Sequence, residues 1–298
     1  MHINKKLNIK LSDAKLQQQF YLPSIRERDG FWGRLINESN SVLMKVLLTN
    51  DDGIHAPGLW ALYHAFSIRH QVTVVAPDRE RSAVGHGITL HQPIRYEKIR
   101  VNGNMTGFAV SGTPADCVKL GIAELLDAPP QLVVSGINPG ANVGVNLNYS
   151  GTVAGAKEAA MTGIPAMAVS IMAPGNRHVE AVARFAETIS EQVLARGLPA
   201  GTFLNVNFPD LPMREIRGVR WSRQGTSVFA QHFEKRKDPR DRTYYWQGCD
   251  RQVAYDQSDI DGAALEARYI SITPIKCDMT DYETLREMAQ WEIGGKVL

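Results

Sequence analysis

Residues 46–53 read Val-Leu-Leu-Thr-Asn-Asp-Asp-Gly, a short apolar run that passes directly into a polar turn. The apolar part is typical of a buried β-strand, and the Asn-Asp-Asp-Gly part is a turn signal. Four side chains then follow at the i, i+3, i+4 and i+7 spacing of an amphipathic helix, namely Leu59, Leu62, Tyr63 and Phe66. A buried strand that turns straight into a helix indicates the first unit of an α/β fold.

The same alternation of strand-like and helix-like segments continues to about residue 220. We predict strands at Val72–Val75, Leu132–Val134, Ala166–Val169 and Phe203–Val206, and helices at Ala115–Leu126, Val153–Met161 and Val179–Val193. Apolar strands that alternate with helices form a parallel sheet buried on both faces. The sequence therefore predicts an α/β fold with a doubly wound, mainly parallel sheet.

Beyond about Trp221 this pattern breaks. Residues 234–242 are a dense mixture of positive and negative side chains, and the aromatic cluster 244–246 follows them. We interpret this part as a projecting hairpin or arm. A solvated loop explains the charges better than a nucleic-acid patch does, and the aromatic residues favour a subunit contact. A last strand at 269–274 and a C-terminal helix at 281–291 are also predicted.

The first 43 residues differ from the rest of the chain. Their aromatic residues follow neither helical nor strand spacing, and no positively charged start leads into a compact apolar segment, so a secretory signal is not expected. We predict a weakly ordered extension at 1–43 and one domain at 44–298. The core of that domain spans about 44–220, and its arm and C-terminal segment span about 221–298. Met44 is a candidate for the natural start.

Composition and charge exclude several classes of protein. Residues 1–43 carry seven basic and four acidic side chains, which leaves 26 basic and 27 acidic side chains in the other 255 residues. A nearly neutral body lacks the clustered cations that binding of a nucleic-acid polymer requires. No apolar run reaches the roughly 20 residues of a membrane helix. The three cysteines are scattered without metal-ligand spacing, which favours a reducing compartment over disulfides or a zinc site.

Polar side chains follow the predicted strands at the points where a parallel sheet binds its ligands. Asp51 and Asp52 follow the first strand, and two carboxylates about 4 Å apart repel each other by roughly 4 kcal/mol at an effective dielectric constant near 20. A divalent cation such as Mg²⁺ or Mn²⁺ relieves this repulsion and prefers oxygen ligands, which Ser82 and Asn138 also offer. A simple turn at residues 50–53, without a metal, is the alternative.

The sequence also predicts an anion site and two candidate proton carriers. Ser150, Gly151 and Thr152 precede a predicted helix, and a helix N-terminus with free amides and a hydroxyl group is suited to binding phosphate. Simple capping of that helix explains the same residues. His55 and His86 are candidates for proton transfer because histidine titrates near neutral pH, although each is equally compatible with a solvent-facing loop.

Several longer motifs, taken in order along the chain, together resemble one known family. They are Val46–Gly53 with Ala56–Gly58, then Ala76–Ser82, Gly112–Val118, Ser135–Asn138 through Asn142–Gly144, Tyr149–Ala154, and near the C-terminus Ile270–Pro274. These motifs closely resemble those of the SurE survival-protein family of 5′/3′-nucleotidases. The resemblance covers about residues 44–280 and is specific, because several motifs occur in the same order.

The resemblance implies a Rossmann-like core, a cytoplasmic location and metal-dependent release of phosphate from nucleoside monophosphates. It implies one divalent cation per subunit, either Mg²⁺, Mn²⁺ or Co²⁺. The implied metal ligands are Asp51, Asp52, Ser82 and Asn138, and the two aspartates are also the implied catalytic residues. A homodimer or homotetramer with an exchanged C-terminal arm is implied as well, without a nucleic-acid polymer or a membrane as partner.

The resemblance further places the phosphate against Asn142 and the turn at residues 150–152. The chain departs from the family pattern at Ala83 and Gly85, where many members have glycine and serine respectively. These departures concern the loop on the substrate side of the site and leave the metal ligands in place.

Three other functions share parts of the pattern. A receiver-type signalling module also binds Mg²⁺ with paired acids, but it is much shorter and needs a phospho-acceptor aspartate where the candidate strand here ends in Ser135. A phosphatase with an aspartyl nucleophile needs Asp-x-Asp, whereas Asp51 and Asp52 are adjacent. A non-catalytic nucleotide-binding protein remains an alternative, and it predicts binding of AMP without release of phosphate.

Overall fold

The structure is a computed structural model of the 298-residue chain. It describes residues 43–101, 103, 105–172, 178–226, 231–249, 255 and 257–291. The predicted weakly ordered extension at 1–43 therefore lies, except for its last residue, outside the described residues. Met44 is buried in the core.

A nine-stranded sheet forms the centre of the molecule, with the strand order β3-β4-β2-β1-β5-β6-β7-β11-β8. The strands are β1 Lys45–Thr49, β2 Gln71–Pro77, β3 Tyr96–Val101, β4 Met105–Val110, β5 Leu132–Pro139, β6 Ala166–Met172, β7 Thr202–Pro209, β8 Val219–Trp221, β9 Gln231–Lys237, β10 Thr243–Cys249 and β11 Ile270–Lys276. Neighbouring strands of this sheet are parallel except for the pairs β3–β4 and β7–β11. The predicted mainly parallel sheet is confirmed.

Helices cover both faces of the sheet. They are α1 Pro57–Phe66, α2 Pro114–Leu120, α3 Gly151–Met161, α4 Val179–Arg196, α5 Asp261–Glu266 and α6 Tyr282–Met288. Leu48 of β1 packs in the apolar cluster that contains Val182 of α4. Its neighbour Leu47 packs in the cluster on the other face, with Val153 of α3. Successive side chains of a strand point to opposite faces, so the continuous apolar run in β1 serves two helical layers, as a doubly wound fold requires.

Three elements differ from the predictions. The antiparallel pair β3–β4 was not predicted, because β3 lies at the edge of the sheet and its side chains are mostly exposed and polar. The helix predicted at Ala115–Leu126 is α-helical only to Leu120 and continues as a π-helical turn over Gly121–Leu125. The C-terminal helix ends at Met288, three residues before the predicted end.

The predicted arm is an antiparallel hairpin of β9 and β10, separate from the main sheet. Its aromatic side chains Phe233, Tyr245 and Trp246 are each more than half exposed. This confirms the prediction of a hairpin at the dense charge run. In the part of the chain that the structure describes, no helix combines the length and the apolar composition that crossing a membrane requires.

The first turn of α1 depends on a glycine. A Cβ atom at Gly58 would lie 2.3 Å from the backbone oxygen of Ile137, closer than van der Waals contact allows. We expect Gly58→Ala to lower the free energy of unfolding by about 3 kcal/mol, because the clash is with backbone in a packed interior. Urea denaturation measures the change. His64→Ala, on the exposed side of the same helix, is the control, and an equal effect of both substitutions would contradict the close contact.

Candidate active site

The loops after β1 and β2 lie against each other at the carboxyl edge of the sheet. Arg81 donates its backbone N–H to the carbonyl oxygen of Asp51 at 2.7 Å, and Ile54 donates to the carbonyl of Pro77 at 2.8 Å. The two loops leave the sheet side by side because β1 and β2 are adjacent parallel strands. The loop that contains Ser82 is therefore held beside the paired aspartates.

Asp51 lies at the N-terminus of α3 and is 5% exposed. Its Oδ1 accepts a hydrogen bond from the hydroxyl of Thr152. Burial raises the pKa of Asp51, and hydrogen bonds from the Thr152 side chain and from the backbone of Thr152 and Gly151 oppose that rise. A helix N-terminus presents unpaired amides and the positive end of the helix dipole. Helix α3 therefore stabilises the ionised form of a buried carboxyl group.

The carboxylate of Asp52 does not share the hydrogen-bond donors that surround Asp51. Its Oδ2 is buried and has no hydrogen-bond partner among the residues that the structure describes. Burial, followed by the negative charges of Asp51 and Glu80, raises the pKa of Asp52 to about 7. The side-chain oxygen of Asn50 is likewise buried and unpaired within the described ranges. An unsatisfied buried polar atom costs roughly 1–3 kcal/mol, so a cation bound beside these oxygens would offset part of that cost.

A divalent cation fits this arrangement. It would offset the repulsion between Asp51 and Asp52, and their oxygens are the hard ligands that Mg²⁺ and Mn²⁺ prefer. Across the described residues, no three or more His, Cys, Asp or Glu side chains are grouped so that they could hold a metal. An ion bound here would therefore need neutral oxygen ligands in addition to the two carboxylates.

Ser82 and Asn138, the predicted neutral ligands, come from the loop after β2 and the end of β5. Ser82 is exposed and donates its hydroxyl to Glu80 at 2.6 Å, which leaves the lone pairs of its oxygen for an ion. Asn138 donates its Nδ2 to the carbonyl of Gly140 at 2.6 Å, which leaves the side-chain oxygen as its ligand atom. Both residues lie at the carboxyl edge of the sheet, as the aspartates do, and neither of these two hydrogen bonds is to an aspartate.

Asn142 belongs to a buried polar network. Its backbone N–H donates to Oδ1 of Asn207 at 2.8 Å, and its side chain donates to Oγ of Ser170 at 2.9 Å. Its carbonyl oxygen accepts from the side chains of Asn205 and Asn207. Sequence reasoning missed both of these asparagines, although polar residues at alternate positions of an otherwise apolar strand were a signal. The network fixes the backbone at Asn142.

The predicted phosphate-binding turn at residues 150–152 begins α3. The hydroxyl of Ser150 accepts a hydrogen bond from the amide of Val153 at 3.1 Å, which makes it the N-cap. The hydroxyl of Thr152 is directed to Asp51. The turn therefore supports the helix and the aspartate, and its binding of phosphate stays a prediction.

A buried carboxylate outside the predicted site anchors one of its loops. Asp261 at the start of α5 is fully buried and accepts hydrogen bonds from the backbone N–H groups of Gly144, at 2.8 Å, and Gly225, at 3.1 Å. Gly144 lies two residues after Asn142, on the segment that leads to α3. A single acidic residue in the first turn of a helix is common, so the sequence alone did not reveal this role.

The two candidate histidines have different surroundings. His55 is exposed. His86 is partly buried, and its Nε2 lies 2.8 Å from Oε2 of the buried residue Glu158. On the same loop, Ala83 has a backbone φ of 56° in the left-handed region, a conformation that glycine adopts at lower cost than alanine.

Comparison with known proteins gives a consistent result. The family model "Survival protein SurE" matches residues 46–231. A "5'-nucleotidase SurE" of Desulfatibacillum aliphaticivorans is 55% identical over 84% of this chain and 99% of that protein. One of Syntrophobacter fumaroxidans is 48% identical over 84% of this chain and 100% of that protein. The crystal structure of SurE protein from Aquifex aeolicus has a TM-score of 0.72 and 38% identity, and the match covers 82% of this chain and 98% of that chain. As its motifs predict, the chain belongs to the SurE family.

Proposed function

We propose that the protein is a metal-dependent phosphomonoesterase that hydrolyses nucleoside 5′- and 3′-monophosphates to nucleoside and phosphate. The observation that carries this proposal is the adjacent pair at the end of β1, where Asp51 is buried at a helix N-terminus and Asp52 is partly buried. The name 5'-nucleotidase SurE, carried by relatives that match along almost their whole length, supports the same activity.

Asp51, Asp52, Ser82 and Asn138 are the proposed ligands of one divalent cation per subunit, either Mg²⁺, Mn²⁺ or Co²⁺. When bound, such an ion neutralises phosphate oxygens and lowers the pKa of a water molecule, which provides the nucleophile. The two aspartates are the proposed catalytic residues because, as ligands of the cation, they determine where its positive charge lies. The hydrogen bond from Thr152 and the helix N-terminus keep Asp51 oriented for this role.

The phosphate side of the proposed site consists of Asn142, Ser150, Gly151 and Thr152. The buried asparagine network orients the backbone at Asn142 before substrate arrives. The side-chain amide of Asn142 donates one of its two hydrogens to Ser170, and a donor held in place in this way can stabilise charge on a non-bridging oxygen without further rearrangement. Because the Thr152 hydroxyl is already used by Asp51, we assign Thr152 a contribution through the position of that carboxylate.

We place the enzyme in the cytoplasm as a homodimer or homotetramer joined through the C-terminal arm. The arm is a hairpin with exposed aromatic side chains, including Tyr245 and Trp246, and such residues are enriched in the cores of protein interfaces. The proposed partners are nucleoside monophosphates and other copies of this chain, with neither a nucleic-acid polymer nor a membrane.

Removal of divalent metal is expected to abolish turnover. Purified protein treated with a chelator should release phosphate from AMP at less than about 1% of the metal-loaded rate, because an ion of this kind supplies several kcal/mol of transition-state stabilisation. The assay measures phosphate from 5′- and 3′-nucleotides with Mg²⁺, Mn²⁺ or Co²⁺ added back. A non-catalytic nucleotide-binding protein would instead bind AMP and release no phosphate with any ion, and full activity after chelation would contradict the metal requirement.

A further inference from the structure

We propose that His86 is the acid that protonates the leaving oxygen of the nucleoside, and that the cavity beside it receives the nucleoside. This inference rests on the proposed function and deepens it. The metal and phosphate ligands described above leave the leaving oxygen without a proton donor. An alkoxide leaving group is strongly basic, so a positioned acid typically contributes 10²- to 10⁴-fold to such a step.

A buried carboxylate orients the imidazole of His86. Nε2 of His86 lies 2.8 Å from Oε2 of Glu158, and the ammonium group of Lys119 lies 3.1 Å from the other carboxylate oxygen. Glu158 is 5% exposed, so its carboxylate is fixed by the body of helix α3. The hydrogen bond from His86 is the largest influence on the pKa of Glu158 and lowers it, with Lys119 acting in the same direction. The contact with Glu158 holds Nε2 and fixes the orientation of the ring, so Nδ1 is the nitrogen left to donate a proton to the leaving oxygen.

The loop that carries His86 is docked onto the segment before α3. Gly85 donates its backbone N–H to the carbonyl of Tyr149 at 3.0 Å, and the hydroxyl of Thr113 donates to the carbonyl of Gly87 at 2.8 Å. The first of these bonds holds the loop beside the start of α3, and the second holds it to Thr113, the N-cap of α2. The start of α3 also carries the contacts to Asp51, so the histidine and the proposed metal ligands flank one short stretch of chain.

A cavity of about 130 Å³ is lined by His86 and Ser150 and by side chains along α3. A water molecule occupies about 30 Å³ of liquid, so the cavity is large enough for a ring-sized group. Its walls include the apolar side chains of Leu147, Phe203 and Met279. A nucleoside suits this lining, because the faces of its flat base can pack on apolar side chains while its hydroxyl oxygen would lie on the side of His86 and Ser150.

The charged groups around the cavity are consistent with this orientation. Lys157 and Lys276 also line it, and Glu158 faces His86 from α3. With Glu158 already bound to His86 and Lys119, the cationic groups outnumber the anionic ones. The bound monophosphate is an anion, and such surroundings favour its approach.

In the proposed step, His86 gives its proton to the oxygen that leaves phosphorus. The bond between phosphorus and the nucleoside oxygen breaks, and its electron pair stays on that oxygen, which takes the proton from the His86 imidazolium. The oxygen of the attacking water forms the new bond to phosphorus, and a proton from that water is released to solvent. The neutral imidazole then regains a proton from solvent before the next turnover.

The test compares two leaving groups in His86→Asn. With AMP, kcat/KM should fall roughly 100-fold, because the alkoxide needs a proton as it leaves. With p-nitrophenyl phosphate the fall should be no more than about fivefold, because p-nitrophenolate is stable as an anion and general acid catalysis adds little to its departure. His91→Asn, which changes an exposed histidine farther along the same loop, is the matched control and should leave both substrates unaffected.

A positioning variant provides a second measurement. Glu158→Gln should lower kcat for AMP about tenfold with little change in KM, and again more for AMP than for p-nitrophenyl phosphate. Thermal unfolding of each variant shows whether the fold is retained. Equal losses with both substrates, or full AMP activity in folded His86→Asn, would overturn the inference. Wild-type protein that releases phosphate from neither substrate would instead overturn the proposed function itself.

Discussion

Replacing Asp51 with asparagine is expected to lower phosphate release from AMP by roughly 10³-fold, which corresponds to about 4 kcal/mol of transition-state stabilisation. Asparagine keeps the size of the side chain but removes the charge that the proposed cation needs. Its remaining side-chain oxygen can still accept the hydrogen bond that Thr152 donates to Asp51. The loss should appear in kcat and in the affinity for Mn²⁺ measured by calorimetry.

The same substitution should not weaken the metal-free fold. Because burial raises the pKa of Asp51, the ionised side chain destabilises the folded state at pH values above the ordinary pKa of an aspartate. The neutral asparagine is therefore expected to leave Tm near pH 7 unchanged or slightly higher without metal. Asp127→Asn, an exposed position with the same change of charge, is the control. Near-normal turnover by Asp51→Asn would remove the basis of the proposed site.

Local sequence patterns predicted most of the core because the core is built from short-range signals. The apolar run of β1 and the helical spacing of Leu59, Leu62 and Phe66 each specify an element without reference to the rest of the chain. The edge strand β3 carries no such signal, since its exposed polar side chains resemble those of a loop. Its assignment depends on pairing with β4, which is a tertiary contact.

The residues of the candidate site also divide into those that local sequence predicts and those that depend on tertiary contacts. Asp51 and Asp52 were predicted as site residues because adjacent acids after a buried strand repel each other unless a cation lies beside them, and that assignment stays a prediction. Asn207 and Asp261 were missed because their partners are backbone groups 65 and 117 residues away in the sequence. No local pattern distinguishes such residues from ordinary polar positions. Their importance follows from complete burial together with hydrogen bonds to the loop around Asn142.

The start of α3 illustrates a pattern that sequence reasoning recognised only in part. Residues 150–152 predicted an anion at a helix N-terminus, and the structure places the carboxylate of Asp51 there. The chemistry of free amides was readable from the sequence. The identity of the first anion was not, because Asp51 lies about a hundred residues earlier and reaches α3 only through the order of strands in the sheet.

This contact leads to the second large expected effect. A Cβ atom at Gly151 would lie 2.7 Å from Cβ and 2.9 Å from Oδ2 of Asp51. Gly151→Ala therefore cannot be accommodated unless Asp51 or the helix start moves. We expect kcat/KM for AMP to fall at least about 100-fold, because a displacement of about 1 Å in a positioned catalytic group has an effect of this size. Binding of Mn²⁺ should weaken in parallel, since Asp51 is a proposed ligand.

We expect Gly151→Ala to lose activity while it keeps its fold. The variant therefore tests the position of Asp51 rather than the stability of the protein. Alanine favours a helix over glycine by about 1 kcal/mol, so part of the strain is offset and the protein should remain folded in circular dichroism and thermal unfolding. Met161→Ala, on the exposed end of the same helix, should retain full activity. If Gly151→Ala bound Mn²⁺ and hydrolysed AMP like the wild type, Asp51 would have to act from elsewhere. The close approach of Asp51 to α3 would then be irrelevant to catalysis.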